Sequence, residues 1–272
     1  MTDLVLVVTG VGGMGLAVAR RLGSGRRVIL ADYSEKALDA AVSQLQSEGF
    51  IVESHKVDVA DYDSVRQLSE HAAKAGRIDA IVHTAGVAPA TGSKEQILDV
   101  DLVGTVNIID AFLPVVSPGS SLVCIASSAG HMYKFSENLE QHLATAPREK
   151  IVDHPDITST TRVSAYSLAK RGNTLRVQRA ALAYGLKGAR INTISPGVTH
   201  TPLAQAELAG DLGDSVRSLV AAAAFQRLGT TFEIAAAAAF LCSSDASFVT
   251  GTDLLVDGGV IAGKAWGPKA GK

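Results

Sequence analysis

Short apolar runs alternate with helical segments along almost the whole chain, and this alternation restricts the fold more than any other feature. Leu4–Thr9 is an almost wholly apolar run, as expected of a strand that is buried on both faces. Further strands are predicted at 27–31, 51–57, 79–84, 120–126, 190–195 and 252–256. Helical segments are predicted between them at 34–48, 61–75, 94–115, 164–184, 215–225 and 231–242. This alternation predicts an α/β fold with one doubly wound parallel sheet of about seven strands.

The composition indicates a globular protein without a nucleic-acid or membrane partner. Of the 272 residues, 47 % are hydrophobic, and the formal net charge is −2 with no run of lysine or arginine. The apolar runs fall short of the ~20 residues that span a bilayer, and strand-like sequence from Leu4 leaves no room for a signal peptide. The two cysteines are isolated and the seven histidines lack metal-ligand spacing, so no metal site is expected. These features predict a cytoplasmic protein.

A glycine-rich turn follows the first predicted strand and precedes a helical segment. Gly10, Gly12 and Gly15 have the spacing GxGxxG, and Gly13 and Met14 lie between them. A strand, a glycine-rich turn and a helix in this order direct free backbone N–H groups and a helix N-terminus at a phosphate group. The turn therefore predicts a dinucleotide site.

Asp32 ends the second predicted strand, 22 positions after Gly10, which is close to the ~20 expected of an acid that binds a ribose hydroxyl. A carboxylate there binds the 2′-hydroxyl and repels a 2′-phosphate. No basic residue stands in the glycine turn or directly after Asp32. NAD(H) is therefore favoured over NADP(H). The alternative is that Asp32 only caps the helix that follows.

Tyr166 and Lys170 are four positions apart in a predicted helix, so their side chains lie one turn apart on one face. A phenol titrates near pH ~10. A nearby ammonium group lowers that pKa toward the range in which general acid–base catalysis works. Such a pair also occurs on many solvent-exposed helices, so other features of the chain are needed to assign its function.

Polar residues and glycines stand at the carboxyl ends of several predicted strands. Because ligands of a parallel sheet bind at this edge, one cleft is expected to contain all of them. These residues are Asp32, Asp58, Gly86, Ser127 and Pro196.

With these residues in place, the chain resembles the short-chain dehydrogenase/reductase family over nearly its whole length. The matching features are the 9–15 turn, Asp32, Asp58, Ala85-Gly86, Ser127, Tyr166-x-x-x-Lys170, the 192–197 segment and Asp257-Gly258-Gly259. The resemblance implies a single-domain Rossmann fold over residues 1–262, followed by a tail at 263–272. It also implies an oxidoreductase that interconverts a secondary alcohol and a ketone.

The resemblance implies roles for individual residues. Tyr166 is the implied acid/base, Lys170 holds the nicotinamide ribose, and Ser127, preferred to Ser128, binds the substrate oxygen. Asp58 is implied to contact the adenine, and Thr201 the pyrophosphate or carboxamide. The predicted cofactor-binding residues are Gly10, Gly12, Gly13, Met14, Gly15, Asp32, Asp58, Val59, Ala85, Gly86, Tyr166, Lys170, Pro196, Gly197, Thr199 and Thr201. The predicted substrate-binding residues are Ser127, His131, Met132, Tyr133 and Val198.

The chain departs from the family pattern close to this site. The glycine turn is one residue shorter than the usual TGxxxGxG, and Thr84 replaces an asparagine that supports the sheet and the turn. Asp101 replaces the family's catalytic asparagine, which helps to hold a water in a proton relay from the lysine. An ionised Asp101 cannot donate a hydrogen bond and can pair with Lys170, so an altered pH profile is expected. Asn107 does not replace it, because six positions turn a helix by about 240°.

A longer spacer than is common in the family separates Ser127 from Tyr166. The extra segment, 131–163, contains a predicted helix at 136–144 and begins beside the expected substrate site. It is interpreted either as a wall or lid for a bulky hydrophobic substrate, or as an oligomer contact or a solvated surface segment. Together with residues 199–202 and 257–259, it most resembles the bacterial 3α-hydroxysteroid dehydrogenase/carbonyl reductase branch. Residues 199–225 are predicted to form a substrate loop and helix, of which residues 199–215 are expected to be mobile.

The favoured function is an NAD(H)-dependent oxidoreductase for a small-molecule alcohol or ketone, with hydroxysteroids and other bulky carbonyl compounds as candidate substrates. The alternatives are an NADP(H)-dependent carbonyl reductase and a catalytically silent protein that binds NAD(H) as a signal. In the family, the helices predicted at 94–115 and 164–184 commonly form subunit interfaces. A homo-oligomer, either a dimer or a tetramer, is therefore expected, although the insertion at 131–163 can obstruct one interface.

Overall fold

Seven parallel strands form one sheet through the centre of the computed structural model, which describes residues 3–267. The strands are β1 (Leu4–Thr9), β2 (Arg27–Asp32), β3 (Ile51–Lys56), β4 (Arg77–His83), β5 (Ser121–Ile125), β6 (Arg190–Pro196) and β7 (Asp253–Val256). Their order across the sheet is β3-β2-β1-β4-β5-β6-β7. The direction of winding reverses between β1 and β4, so the carboxyl ends of these strands open a crevice. The doubly wound parallel sheet predicted from the sequence is confirmed.

Helices cover both faces of the sheet. They are α1 (Gly13–Leu22), α2 (Glu35–Ser47), α3 (Tyr62–Ala75), α4 (Lys94–Ile97), α5 (Gly104–Phe112), α6 (Glu137–Thr145), α7 (Pro155–Thr158), α8 (Arg162–Gly185), α9 (Pro202–Ala209), α10 (Gly213–Ala222), α11 (Thr231–Cys242) and α12 (Val260–Trp266). One core lies under α1, α2 and α11, and the other under α3, α5 and α8. The central strands are buried from both sides, which explains their unbroken apolar runs. Within residues 3–267, we find no helix long and apolar enough to cross a membrane.

The helix predicted at 94–115 is divided into three segments. α4 is followed by a π-helical turn, Leu98–Val103, which leads directly into α5. Asp101 lies in this turn, and its carboxylate accepts a hydrogen bond from the Val87 N–H at 2.9 Å. Turns of this type occur mostly at functional sites. The helix ends at Phe112, before 115, because Pro114 has no backbone N–H with which to continue the helical hydrogen bonds.

The insertion predicted at 131–163 packs as part of the core. It contributes to a third hydrophobic cluster with α4, α5, α8 and the π-helical turn, through Leu139, Leu143, Ile151 and Ile157. Arg171 of α8 donates a hydrogen bond to Glu140 at 2.8 Å. The guanidinium of Arg148 lies 3.6 Å from the centre of the Tyr62 ring. The insertion is therefore not a solvated surface segment, and it covers part of the face that α5 and α8 share.

The region after β6 contains helices that the sequence analysis did not predict. α9 begins with Pro202 behind the N-cap Thr201, an arrangement favourable to a helix start. α10 runs over Gly213–Ala222, so the helix predicted at 215–225 starts and ends earlier than expected. α12 crosses the predicted domain boundary at residue 262. Residues 268–272 of the predicted tail lie outside the described residues.

The substitution Leu143→Ala tests whether the insertion stabilises the whole domain. Leu143 is fully buried and packs near Leu102, so its loss leaves a cavity and should lower the free energy of unfolding by about 2–5 kcal/mol. Denaturant titration of the variant measures this change. Leu186→Ala, at an exposed position, is the control and should change that free energy by less than about 0.5 kcal/mol. An unchanged transition for Leu143→Ala would mean that the insertion unfolds separately from the sheet.

Candidate active site

The glycine turn brings β1, α1 and the turn after β4 into backbone contact. Gly10 has a φ of +85°, and a Cβ there would lie 2.6 Å from the Ala85 nitrogen. A Cβ on Gly15 would lie 1.9 Å from the Gly10 carbonyl oxygen. By contrast, no atom lies within 4 Å of the Cβ position of Gly12, which precedes α1. Gly10 and Gly15 thus allow close packing, whereas Gly12 leaves room for a ligand at the helix N-terminus.

Asp32 connects the glycine turn to the start of α2. Its Oδ2 accepts a hydrogen bond from the Val11 N–H at 2.8 Å, and its Oδ1 accepts one from the Ser34 N–H at 2.9 Å. The N-cap of α2 is Ser34. Asp32 is therefore more than a helix cap, because it also orients the glycine turn.

Thr84 and Asn107 have supporting roles in the same region. Thr84 Oγ1 donates a hydrogen bond to the Gly10 carbonyl oxygen at 2.9 Å, so it supports the turn as expected for that position. Asn107 Nδ2 donates to the Val59 carbonyl oxygen at 2.8 Å. Asn107 therefore faces away from Asp101 and does not take its place.

A cleft of about 710 Å³ opens between the glycine turn and the carboxyl ends of β1, β2 and β4. No lysine or arginine is among the described residues that line it. Asp58 borders the cleft and accepts a hydrogen bond from the Ala60 N–H at 2.9 Å. The predicted cofactor-binding residues that line the cleft are Gly10, Gly12, Gly13, Met14, Gly15, Asp32, Asp58, Val59, Ala85, Gly86 and Thr201.

The segment directly after β6 lies apart from this cleft. Gly197, Val198 and Thr199 line a separate cavity of about 380 Å³ beside α10, α11 and α12. Thr199 Oγ1 donates a hydrogen bond to the Gly197 carbonyl oxygen at 3.0 Å, and Thr199 forms an isolated β-bridge with Gly229. Pro196 is buried at the end of β6. The structure therefore does not bring residues 196–199 into the cleft with the glycine turn.

Ser127, Tyr166 and Lys170 come together next to Gly86. Tyr166 and Lys170 lie one turn apart on α8, and the Ser127 side chain is near enough to Tyr166 to lower the pKa of the phenol. The buried Lys170 Nζ donates to the Ile125 carbonyl oxygen at 3.5 Å and lies 5.5 Å from the centre of the Tyr166 ring. A Cβ on Gly86 would lie 3.3 Å from this Nζ. Because Gly86 also lines the cleft, the Lys170 ammonium group lies at the edge of the cleft, and Tyr166 lies next to this group.

Asp101 is fully buried and faces the same ammonium group. Its Oδ1 lies 3.7 Å from Lys170 Nζ, and its Oδ2 has no hydrogen-bond partner among the described residues. Burial raises the pKa of the Asp101 carboxyl to about 6, although Lys170 and the Val87 N–H lower it. The expected pairing with Lys170 is therefore present, and the carboxyl changes its charge not far below neutral pH.

The pKa of Tyr166 is raised, in the direction opposite to the one expected from the Tyr166–Lys170 spacing. Burial raises the pKa most, and the Asp101 carboxylate raises it further. The interaction with the Ser127 side chain lowers the pKa by a smaller amount. Lys170 does not produce the expected fall in this pKa. Burial and Lys170 also lower the pKa of His83 to about 3, so this ring stays neutral.

Comparison with known proteins agrees with this geometry. The family model described as short chain dehydrogenase matches residues 3–138, and the model described as Enoyl-(Acyl carrier protein) reductase matches residues 156–261. Short-chain dehydrogenase/reductase bsc3 of Alternaria brassicicola is 38 % identical over 268 residues, which cover 96 % of this chain and 97 % of that protein. The chain belongs to the short-chain dehydrogenase/reductase family. As a member of this oxidoreductase family, it is an enzyme with a nicotinamide cofactor, NAD or NADP.

Two further similarities extend over almost the whole chain. The 3-alpha-hydroxysteroid dehydrogenase/carbonyl reductase of Comamonas testosteroni is 31 % identical over 268 residues, which cover 95 % of this chain and 96 % of that protein. The crystal structure of a single-substitution variant of actinorhodin polyketide ketoreductase with NADPH superposes with a TM-score of 0.75 at 22 % identity, covering 95 % of this chain and 97 % of that one. The latter similarity shows the shared fold alone.

In this short-chain dehydrogenase/reductase, the His131 side chain contacts residues of β6 and β7. Its Nε2 lies 2.7 Å from Asp253 Oδ2 and 3.3 Å from Ser195 Oγ. Asp253 Oδ1 also accepts hydrogen bonds from the hydroxyls of Thr193, at 2.6 Å, and Ser195, at 2.9 Å. His131 ends the 3₁₀ turn that follows Ser127, so this network attaches the turn to the sheet edge. The predicted contact between His131 and the substrate would compete with the hydrogen bonds that the imidazole ring makes to Asp253 and Ser195.

The other predicted substrate-binding residues and two acids complete the description of the site. Met132 is half-buried, and Tyr133 is exposed beside it. The sequence analysis did not single out Asp253 or Glu207. Both are acids within otherwise apolar or small-residue segments, Asp253 at the start of β7 and Glu207 in α9. An acid within such a segment is the sequence signal for Asp253 and Glu207, because acids are seldom buried without a partner.

The substitution Asp253→Asn tests the network around His131. Burial raises the pKa of the Asp253 carboxyl, but the hydrogen bonds from His131, Thr193 and Ser195 outweigh it, so the pKa lies below its usual value. Such a group stabilises the folded state above its unfolded pKa, and the stabilisation is lost as the pH falls through the folded pKa.

Asp253→Asn should therefore lower the free energy of unfolding at pH 7 by about 1–3 kcal/mol. The difference from the unmodified protein should shrink below a pH of about 4. Denaturant titrations over a pH series measure both effects. Asp214→Asn, at a fully exposed side chain, is the control. An equal loss of stability in that variant would show that the effect is not specific to Asp253.

Proposed function

We propose that this protein is an NAD(H)-dependent enzyme that interconverts a secondary alcohol and a ketone. The proposal is carried by the meeting of Ser127, Tyr166 and Lys170 at Gly86, on the edge of the cleft that contains Asp32. A phenol, a second hydroxyl and a buried ammonium group thus stand beside a site suited to a dinucleotide. These groups can exchange a proton with an oxygen atom while a hydride moves at the adjacent carbon.

The cleft fits a nicotinamide dinucleotide without a 2′-phosphate. Gly12 leaves open space before the N-terminus of α1, where backbone N–H groups can bind a pyrophosphate. Asp32 can accept a hydrogen bond from the ribose hydroxyl and repel a phosphate there. The lack of lysine and arginine among the described lining residues also favours NAD(H). Asp58 would contact the adenine, and Lys170 the nicotinamide ribose.

Each side chain next to Gly86 has a separate role in the proposed reaction. The bound cofactor accepts or supplies the hydride. Tyr166 exchanges the proton with the substrate oxygen, and Ser127 orients that oxygen. Lys170 is held in place by the Ile125 carbonyl oxygen and by Asp101. Because the raised pKa of Tyr166 keeps its proton at neutral pH, ketone reduction is favoured there, and alcohol oxidation requires a higher pH.

The substrate is bounded by segments that surround this centre. We expect walls from Met132 and Tyr133 in the insertion and from residues 199–225. Hydroxysteroids and other bulky carbonyl compounds are candidates because of the resemblance to the hydroxysteroid dehydrogenase branch.

A homo-oligomer and a cytoplasmic location stay predictions. A subunit interface through α5 and α8 would have to include the insertion that packs on them.

Nicotinamide absorbance during turnover tests the proposed function. The assay uses NAD⁺ or NADP⁺ with secondary alcohols from small to steroid-sized, and NADH or NADPH with the matching ketones. Turnover with a higher kcat/KM for NAD(H) than for NADP(H) is expected. Tyr166→Phe should lower turnover by about 10²–10⁴-fold, because it removes the proton donor without a large change in shape.

Three results would contradict the proposal in different ways. Turnover that survives Tyr166→Phe would remove the acid–base role of the phenol. Tight NADH binding without turnover across the panel would favour a protein that binds the cofactor as a signal. A preference for NADP(H) would support the alternative of an NADP(H)-dependent carbonyl reductase.

The substitution Asp101→Asn tests the electrostatic part of the mechanism. The ionised Asp101 carboxylate raises the pKa of Tyr166, so its replacement by a neutral amide should lower that pKa. The pH at which alcohol oxidation rises should then fall by roughly one unit. The measurement is kcat/KM for oxidation as a function of pH. Asp110→Asn, farther along the same helix, is the control, and an unmoved profile for Asp101→Asn would show that this carboxylate does not tune Tyr166.

A further inference from the structure

Glu207 lies on the inward face of the helix that leads away from the cofactor cleft. Thr201 Oγ1 caps the start of this helix, α9, by accepting a hydrogen bond from the Ala204 N–H at 3.2 Å. Thr201 and Leu203 line the cleft, and Ala204 is buried. Residues three and four positions apart share a helix face. Glu207 therefore faces the same side as Leu203 and Ala204, and it is itself partly buried.

The Glu207 carboxylate has no hydrogen-bonding or charged partner among residues 3–267, and burial alone raises its pKa above the usual value. Other partly buried glutamates of the chain are paired with arginines. These pairs are Glu53 with Arg27, Glu70 with Arg66 and Glu140 with Arg171. A partly desolvated carboxylate without a partner is unfavourable. No contact within the described chain offsets this cost at Glu207.

Glu207 is also close to the tyrosine beside Gly86. Its negative charge contributes to the raised pKa of Tyr166. This charge interaction supports the geometric argument that Glu207, on the same helix face as the cleft-lining Leu203, is directed toward the site. A substrate whose oxygen meets Tyr166 therefore lies within the electric field of Glu207.

We propose that Glu207 binds a hydrogen-bond donor of the substrate, either a second hydroxyl or an ammonium group, and disfavours substrates that carry a carboxylate. This inference rests on the proposed dehydrogenase function and adds a substrate class to it. A donor gives the carboxylate its missing hydrogen bond. An apolar substrate leaves it unpaired, and an anionic substrate is repelled. A site built around such a bond rejects analogues that lack the donor.

A series of cyclohexanols that differ only at the 4-position tests the proposal. The 4-substituent is methyl, hydroxyl, ammonium or carboxylate, and kcat/KM for each is divided by the value for the methyl compound. This ratio cancels any general change in Tyr166. In the unmodified protein, the hydroxyl or the ammonium compound should exceed the methyl compound by about 10–100-fold, and the carboxylate compound should be the poorest. Whichever compound ranks first identifies the kind of donor.

Variants of Glu207 connect the ranking to this side chain. Glu207→Gln should bring the ammonium compound close to the methyl compound, and Glu207→Leu should do the same for the hydroxyl compound, whose hydrogen bond a glutamine carbonyl oxygen can still accept. Glu207→Lys should place the carboxylate compound above the ammonium compound. Asp245→Asn, which removes an exposed carboxylate in the turn just before β7, is the matched control and should keep the original ratios.

The inference and the proposed function fail in distinguishable ways. Intact turnover with unchanged ratios in Glu207→Leu overturns the inference and leaves the dehydrogenase function standing. If the unmodified protein turns over no compound, binding of cyclohexylammonium and cyclohexanecarboxylate to the cofactor-loaded protein is measured by calorimetry. A preference for the ammonium ion that Glu207→Gln abolishes supports the role of Glu207. Equal binding of the two ions overturns it.

Discussion

Close backbone contact between the glycine turn and the turn after β4 determines the geometry of the whole site. A side chain on Gly10 would force these backbones apart, because its Cβ would overlap Ala85, and a Cβ on Gly15 would overlap the Gly10 carbonyl oxygen within the glycine turn itself. Gly86 follows Ala85 directly, so the same contact fixes the edge of the cleft against Asp101 and Lys170. The cofactor cleft and the acid–base residues are therefore parts of one packed unit. A shift of either turn would change the distance between the cleft and Tyr166.

Asp101 links the stability of this unit to its chemistry. A buried ammonium group is unfavourable unless it is paired and hydrogen-bonded, and Lys170 has both a carboxylate and a backbone carbonyl oxygen near it. The same carboxylate raises the pKa of Tyr166 and thereby holds the phenol in its protonated form. An asparagine at this position would leave the lysine charge uncompensated and would favour the phenolate. The aspartate thus biases the chemistry toward protonation of a ketone oxygen.

The sheet and the main site residues were predictable because local sequence determines them. Strands that are buried on both faces need unbroken apolar runs, and the residues at their carboxyl ends, such as Asp32 and Ser127, meet at one edge in any parallel sheet. The contact of His131 with Asp253 joins positions 122 residues apart, and no local pattern indicates it. The direction of the Tyr166 pKa shift was also beyond prediction, because it depends on burial. Burial depends on how α8, the π-helical turn and α9 pack together.

The position of the insertion limits what can bind next to Tyr166. Its apolar residues pack against α8 and the π-helical turn, so they are not available to line a substrate pocket. His131, where the insertion begins, is held by Asp253, so Met132 and Tyr133 are the residues expected to form an apolar wall on this side. The other proposed wall is α9, whose inward face carries Glu207. The shared fold determines the sheet and the acid–base residues but not the substrate, which depends on these walls. One wall with a short apolar surface and another with an unpaired carboxylate are better suited to a polar hydroxylated or cationic compound than to a wholly apolar one.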